Sequence, residues 1–237
     1  MKVFLTGASG LLGKHLEREL DDRGIEHYSP THAAFNVVEQ RLGEVILWLD
    51  FKPDVVIHCA AVARYRDVEE DLGRALRTNV VGTCHLIQEC ISHDVRMVYI
   101  STDHVFDGLD GPYGIDDKIN PLTKYAKTKA AGELAVRTYD NSLVIRTSFC
   151  PPEFMFDTAY TDKWTSQDYV DKVAPKILDK CLSDQVGVCH VGHSRRSFYD
   201  LAVERHPDIK KGSVEEIMKT SKVPILVDTS LKLDNDV

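Results

Sequence analysis

The chain reads as an α/β fold, a doubly wound parallel sheet with helices on both faces and a small C-terminal region. Three observations predict it. Short β-type runs alternate with helix-period segments over residues 1–148, a glycine-rich turn separates the first run from the first helix, and residues 53–61 form an apolar, β-branched run suited to a strand buried on both faces. A length of 237 residues with 28% charged side chains, 14 Gly and 9 Pro is ordinary for a soluble globule that builds its own core.

Taken in order, Val3-Phe4-Leu5-Thr6 is a strand, and Gly7-Ala8-Ser9-Gly10-Leu11-Leu12-Gly13 turns into a helix whose apolar positions Leu12, Leu16 and Leu20 are four apart. Gly24 stands where a helix-ending glycine belongs. A second strand over 25–29, a helix over about 38–50 and the buried strand at 53–61 complete a βαβαβ half. The alternation then continues with a helix over about 72–93, a strand at 96–101, a Gly- and Asp-rich loop at 107–121, a helix over about 122–139 and a strand at 142–146. Residues 1–148 thus read as a dinucleotide-binding unit. Residues 149–237 read as a smaller, shortened substrate-binding region interleaved with it, holding a helix near 167–181, a strand near 186–191, a helix near 197–205 and a polar tail.

Composition excludes several classes. A net charge of −8 with scattered Lys and Arg argues against nucleic acid as a partner. No stretch has the roughly 18 apolar residues of a membrane span, and Thr6-Gly7 interrupts the N-terminus too early for a signal peptide, so a cytoplasmic protein is expected. The six cysteines include no C-x-x-C pair and read as reduced small hydrophobes; the ten histidines show no metal-binding spacing, so no metal is expected. His190 and His193 read as solvated loop residues.

The spacing Gly7-x-x-Gly10-x-x-Gly13 between a strand and a helix has a physical purpose. It makes a tight turn, lets bare backbone approach a pyrophosphate and sets the diphosphate at the positive helix end, which is the phosphate cradle of a Rossmann-type domain. The acidic residue that commonly grips the adenosine ribose at the end of the second strand is absent, since Ser29-Pro30-Thr31-His32 stands there, and that segment has no Arg either. NADP or NAD is therefore the expected cofactor, with the preference open. Tyr125 and Lys129 are four apart on one helix face, and Tyr125 alone among nine tyrosines has Lys at that spacing. A neighbouring ammonium is expected to lower the phenol pKa, so that Tyr125 can pass the proton that accompanies hydride transfer. Ser101 and Thr102, at the C-terminal end of a strand, offer a hydroxyl to the reacting carbonyl.

These residues resemble the extended short-chain dehydrogenases. Within them, Ser101-Thr102-Asp103-His104-Val105-Phe106-Asp107-Gly108 is similar to the S-T-D-Y-V-F-x-G segment of the dTDP-4-dehydrorhamnose reductase group. Cys59-Ala60-Ala61, Asn79, Pro121-Leu122, Gly132-Glu133, Arg146-Thr147-Ser148 and Asp228-Thr229-Ser230-Leu231 are similar to further landmarks, densely to residue 148 and thinly beyond. The resemblance implies Thr102, Tyr125 and Lys129 as catalytic residues. It implies a cofactor lined by Gly7, Ser9, Gly10, Leu11, Leu12, Gly13, Asn36, Val37, Cys59, Ala60, Ala61 and Asn79, with Tyr125 and Lys129, and a substrate met by Asp103, His104 and Phe149. It further implies reduction of a 4-keto-6-deoxy nucleotide sugar and a homodimer formed through the helices over 72–93 and 122–139. An NAD-bound epimerase or dehydratase and a non-catalytic, cofactor-binding regulatory subunit are the alternatives. His104 replaces the usual tyrosine, Phe149 replaces the usual Trp, and the segment between Phe149 and Trp164 is short for the helix and strand the family carries there. Arg195-Arg196 reads as a grip on a nucleotide-sugar diphosphate or as an exposed basic pair, Asp103 as a group that tunes His104 or the site or as a loop carboxylate bonding its own backbone, and Trp164 with Tyr160 as a stacking surface or core filling.

Overall fold

The computed structural model describes residues 1–39, 51–219, 221 and 223–233. In chain order, β1 (Lys2–Thr6), α1 (Leu11–Asp22), β2 (Glu26–Tyr28) and β3 (Val55–His58) form the first half. The helix expected over 38–50 lies almost wholly outside the described residues. Two short helices follow, α2 (Tyr65–Glu70) and α3 (Leu72–Leu76), then a π-helical turn (Arg77–Gly82) and α4 (Thr83–His93). Next come β4 (Arg96–Thr102), α5 (Lys124–Val136) and β5 (Ser142–Thr147). The remainder carries the short strands β6 (Phe149–Cys150), β7 (Thr158–Tyr160), β8 (Trp164–Thr165) and β9 (Asp168–Tyr169), then α6 (Val170–Leu182), β10 (Gly187–Val191), β11 (Arg196–Ser197), α7 (Phe198–Val203), β12 (Lys210–Gly212) and α8 (Val214–Met218).

Six strands make one parallel sheet in the order β2-β1-β3-β4-β5-β10. Strand alternation divides its side chains between two cores. Val3, Leu5, Ile57, Val98, Ile100 and Ile145 face α1 and α6, meeting Leu12, Leu16, Val173 and Ile177. Phe4, Val56, Met97, Tyr99 and Val144 face the other way, onto Leu86, Ile87 and Cys90 of α4 and Val136 of α5. The strand order switches sides at β1, with β2 added on one side of it and β3 on the other, so the C-terminal ends of β1 and β3 open into a crevice, the usual ligand position in such sheets.

Two departures from the sequence reading bear on the site. The helix expected over 72–93 is interrupted by the π-helical turn, where the Asn79 amide accepts the Val62 N–H at 2.8 Å and donates to the Val62 carbonyl at 3.0 Å and to Thr128 Oγ1 at 2.9 Å. That clamp ties the loop after β3 to α5. The tail is not merely polar. Leu226 and Leu231 are buried, Trp164 N–H donates to the Val227 carbonyl at 2.7 Å, and Tyr113 N–H donates to the Ser230 carbonyl at 2.8 Å, so residues 226–231 close over the loop that follows β4. His190 is buried rather than solvated, with Nδ1 3.0 Å from the Lys232 carbonyl.

Candidate active site

The phosphate cradle is built at the β1–α1 turn. Gly7 has φ +76°, and a Cβ there would lie 2.6 Å from the Ala60 nitrogen, so only glycine lets β1 leave its strand this close to β3. A Cβ on Gly13 would stand 2.1 Å from the Gly7 carbonyl oxygen, which is why α1 can seat its first turn directly on the loop. That first turn contains no acidic residue, leaving the positive end of a twelve-residue helix open to an anion.

Two compartments meet at this turn, and a third adjoins the second. An adenosine-sized one of about 330 Å³ is lined by Gly7, Ser9, Gly10, Pro30, His32, Phe35, Val37, Cys59, Ala60, Ala61, Arg74 and Thr78, among others. A second of about 350 Å³ shares Gly7, Gly10, Cys59 and Ala61 with it and adds Leu11, Leu12, Gly13, Thr102, Asp103, His104, Tyr125, Lys129, Phe149 and Gln167. The third, about 150 Å³, shares Asp103, His104, Ser148 and Gln167 with the second and is closed by Lys163, Phe198, residues 223–226 and Thr229. A continuous trough therefore runs from the end of β2, past the α1 N-terminus, to the C-terminal part of the chain.

Tyr125 and Lys129 stand one turn apart on α5, whose start is set by Thr123 accepting the Ala126 N–H at 3.1 Å. Lys129 Nζ donates to the Ile100 carbonyl at 2.7 Å and lies 4.0 Å from the centre of the Tyr99 ring. Burial lowers its pKa to about 7, against the opposing pull of Cys59 and Glu133. Tyr125 is pushed up to about 12, first by burial and then by the Asp103 charge, with a Thr102 hydroxyl contact pulling the other way. The expected fall in the phenol pKa is thus reversed, because desolvation outweighs any help from Lys129. Tyr125 is held as a proton donor.

Thr102 Oγ1 donates to Asp103 Oδ1 at 3.1 Å, and Thr229 Oγ1 donates to Oδ2 at 2.7 Å. Asp103 is buried, not a solvated loop carboxylate, and the tail residue Thr229 is part of the reason. His104 is more open, with Nε2 3.9 Å from Asp103 Oδ1 and its ring edge-on to Tyr125 at 6.4 Å. Ser101 turns away from the cavity chemistry, donating to Glu133 Oε2 at 2.7 Å. Glu133 in turn pairs with Arg146 at 2.7 Å, which locks α5 onto β5 behind the site. The arginine pair is divided, Arg195 remaining exposed and Arg196 buried, and each is matched to protein acids. Arg196 is buried between Asp168 and Glu204, while Arg195 reaches Asp228 at 2.9 Å and stacks on Trp164 at 3.8 Å.

Of the residues named from sequence, all but two line the first two compartments. Asn36 turns its side chain to the Val38 N–H at 3.0 Å, and Asn79 is spent on the clamp described above. Sequence reasoning missed Arg74, Thr78, Lys163, Gln167 and residues 223–226, which reach the trough from outside the quoted motifs. Among the described residues no group of His, Cys, Asp and Glu is placed to hold a metal, and no helix is long and apolar enough to cross a membrane.

A parallel doubly wound sheet, a glycine cradle at the first helix and a Thr-Tyr-Lys set facing that cradle define a Rossmann-type protein of the short-chain dehydrogenase class. More narrowly, the chain belongs to the RmlD substrate binding domain family, which matches residues 1–151. It is 32% identical over 219 residues to the spore coat polysaccharide biosynthesis protein SpsK of Bacillus subtilis, covering 85% of this chain and 77% of that one. It is 36% identical over 142 residues to methionine adenosyltransferase 2 subunit beta of Bos taurus, covering 57% of this chain and 42% of that one. The chain thus spans well under two thirds of the subunit beta it matches. Among solved structures it resembles dTDP-4-dehydrorhamnose reductases from Clostridium acetobutylicum (TM-score 0.85, 25% identity, 98% of this chain and 90% of that one) and from Bacillus anthracis, the latter in complex with NADP (TM-score 0.84, 23% identity, 98% and 90%).

Proposed function

We propose that the protein is an NAD(P)H-dependent reductase of a 4-keto-6-deoxy nucleotide sugar, of the dTDP-4-dehydrorhamnose reductase type. The observation that carries this reading is the convergence of Thr102, Tyr125 and Lys129 on one wall of a cavity continuous with the glycine cradle. A bound nicotinamide supplies the hydride. Thr102 holds the carbonyl oxygen, Tyr125 gives it the proton, and Lys129, fixed by the Ile100 carbonyl, steadies the cofactor side of the same wall. Residues 1–148 bind the dinucleotide, and residues 149–237 supply the substrate side.

The trough suits either form of the cofactor, with the diphosphate at Gly10–Gly13 and the adenosine between Val37 and Ala60. No carboxylate among the described residues lines the adenosine compartment, whereas Arg74 and His32 do. That balance favours NADPH, whose 2′-phosphate needs a cation and the absence of an acid. The apolar side chains Val81, Ile91 and Leu134 are exposed on the segments over 72–93 and 122–139 that the resemblance assigns to a dimer, which supports a homodimer.

The test is a set of nucleotide-sugar 4-ketones assayed by loss of NADPH absorbance. Wild type is expected to turn over at least one. Tyr125→Phe removes a single hydroxyl and is expected to lower turnover by roughly 10² to 10⁴ while leaving NADPH affinity in place. Unchanged turnover in that variant, or tight cofactor binding with no ketone reduced by wild type, defeats the reading.

A further inference from the structure

The third compartment holds a cation with nothing to do. Lys163 is fixed from both sides by backbone bonds, its own carbonyl accepting the Phe198 N–H at 2.7 Å and the next residue, Trp164, donating to the Val227 carbonyl at 2.7 Å. Its side chain enters the compartment beside Phe198, with Nζ 5.0 Å from the ring centre. Among the described residues Nζ has neither a hydrogen bond nor an ion pair. The nearby acid is Asp103, and both of its oxygens already accept hydroxyl donors from Thr102 and Thr229. Burial lowers the Lys163 pKa and the Asp103 charge only partly opposes this. Lys163 is half-buried, so its ammonium stands at the wall of an accessible compartment with no carboxylate of its own among the described residues and is placed to donate to an anion that enters.

Three other basic groups near the trough are occupied. Arg195 and Arg196 are consumed by Asp228, Asp168 and Glu204, and Lys129 by the Ile100 carbonyl and the Tyr99 ring. The wall opposite Lys163 is apolar, made by Val223, Pro224, Ile225 and Leu226, and the mouth toward Tyr125 is shared with the catalytic cavity through His104 and Gln167. An anionic group set between a reacting sugar on one side and an apolar surface on the other is the diphosphate of a nucleoside diphosphate sugar. We propose that Lys163 is the substrate's phosphate anchor, donating to a diphosphate oxygen. This rests on the nucleotide-sugar reading above and assigns the diphosphate to a residue outside every family motif noted in the sequence.

The experiment is calorimetry of wild type, Lys163→Met and Lys163→Gln with UDP, dTDP, GDP and CDP, each beside its uncharged nucleoside. Wild type is expected to bind at least one diphosphate. Lys163→Met is expected to weaken that binding by about 10- to 100-fold, the range of a lost charge-assisted hydrogen bond, with Lys163→Gln intermediate and the nucleoside unaffected. NADPH affinity serves as the folding control, because Lys163 lines neither cofactor compartment. With the ketone substrate, KM is expected to rise while kcat changes little. If the variants retain NADPH binding and hold the diphosphate as wild type does, the anchor assignment is wrong and the reductase reading survives. If wild type binds no nucleoside diphosphate at all, both fail together.

Discussion

At the residue scale, single side chains decide charge and proton traffic in ways their neighbours in sequence do not announce. Tyr125 and Lys129 have the spacing of a proton relay, yet burial drives their pKa values in opposite directions, to about 12 and about 7, because it disfavours the charged form of each. Arg74 is the comparable case at the adenosine end. It lies about forty residues from the β2 terminus in sequence, but its guanidinium lines the same compartment as Pro30 and His32, without a carboxylate partner among the described residues. Arg74→Met is therefore expected to weaken NADPH binding by about tenfold or more, the worth of one charge-assisted contact, while NADH binding stays within twofold. Fluorescence titration with both cofactors checks this. Equal weakening of the two would place Arg74 on the shared diphosphate instead.

At the scale of elements, the site depends on α5 being held in one position relative to β4 and β5. The fastening is a buried cluster in which Glu133 accepts from Ser101 of β4 and pairs with Arg146 of β5, while Arg146 also donates to the Ile115 carbonyl at 3.0 Å. Both charged groups are essentially inaccessible, at 0% and 1% exposure, so removing one leaves the other buried without its counter-charge. Glu133→Ala is expected to cost about 3–5 kcal/mol, and Glu133→Gln less, since an amide still offers Arg146 an acceptor. Urea unfolding measures this directly, and a loss below 1 kcal/mol would mean that the pair is not what holds α5. The π-helical turn ahead of α4 is a second fastening. It presents Asn79 to both polar groups of the Val62 backbone, holding in shape a loop that forms one wall of the cofactor trough.

Across the whole molecule, the sheet centre carries a titratable group that couples folding to pH. His58, at the end of β3, has Nδ1 2.7 Å from Thr6 Oγ1 and Nε2 3.0 Å from Thr83 Oγ1. Because the Thr83 hydroxyl donates to the Asn79 carbonyl at 2.9 Å, Nε2 is the donor toward Thr83, and in the neutral ring that burial favours Nδ1 accepts from Thr6. Burial first, and the Lys129 charge second, lower its pKa from 6.5 to about 3. Between those values the unfolded chain binds the extra proton, so stability is complete above pH 6.5 and declines by a few kcal/mol as pH falls toward 3. His58→Gln should flatten that slope, and melting temperatures measured from pH 3.5 to 7 test it. An identical slope in the variant would assign acid unfolding to the carboxylates.

The amino-acid sequence by itself determined the sheet, the glycine cradle and the Thr102, Tyr125 and Lys129 set, because each is written in local terms. Alternating apolar runs specify buried strands, a strand-turn-helix spacing specifies the phosphate site, and an i, i+4 pair specifies a shared helix face. Only the tertiary structure decided which charges are free. Arg195 and Arg196 look available in sequence and are consumed by acids drawn from β9, α7 and the tail. Lys163 and Arg74 belong to no motif and are delivered to the trough by backbone packing. The tail, polar in composition, carries Thr229 to Asp103 across 126 residues of chain. A motif records contacts made within one turn or one strand. A counter-ion is chosen by proximity in three dimensions, and proximity between distant segments is a property of the packed fold.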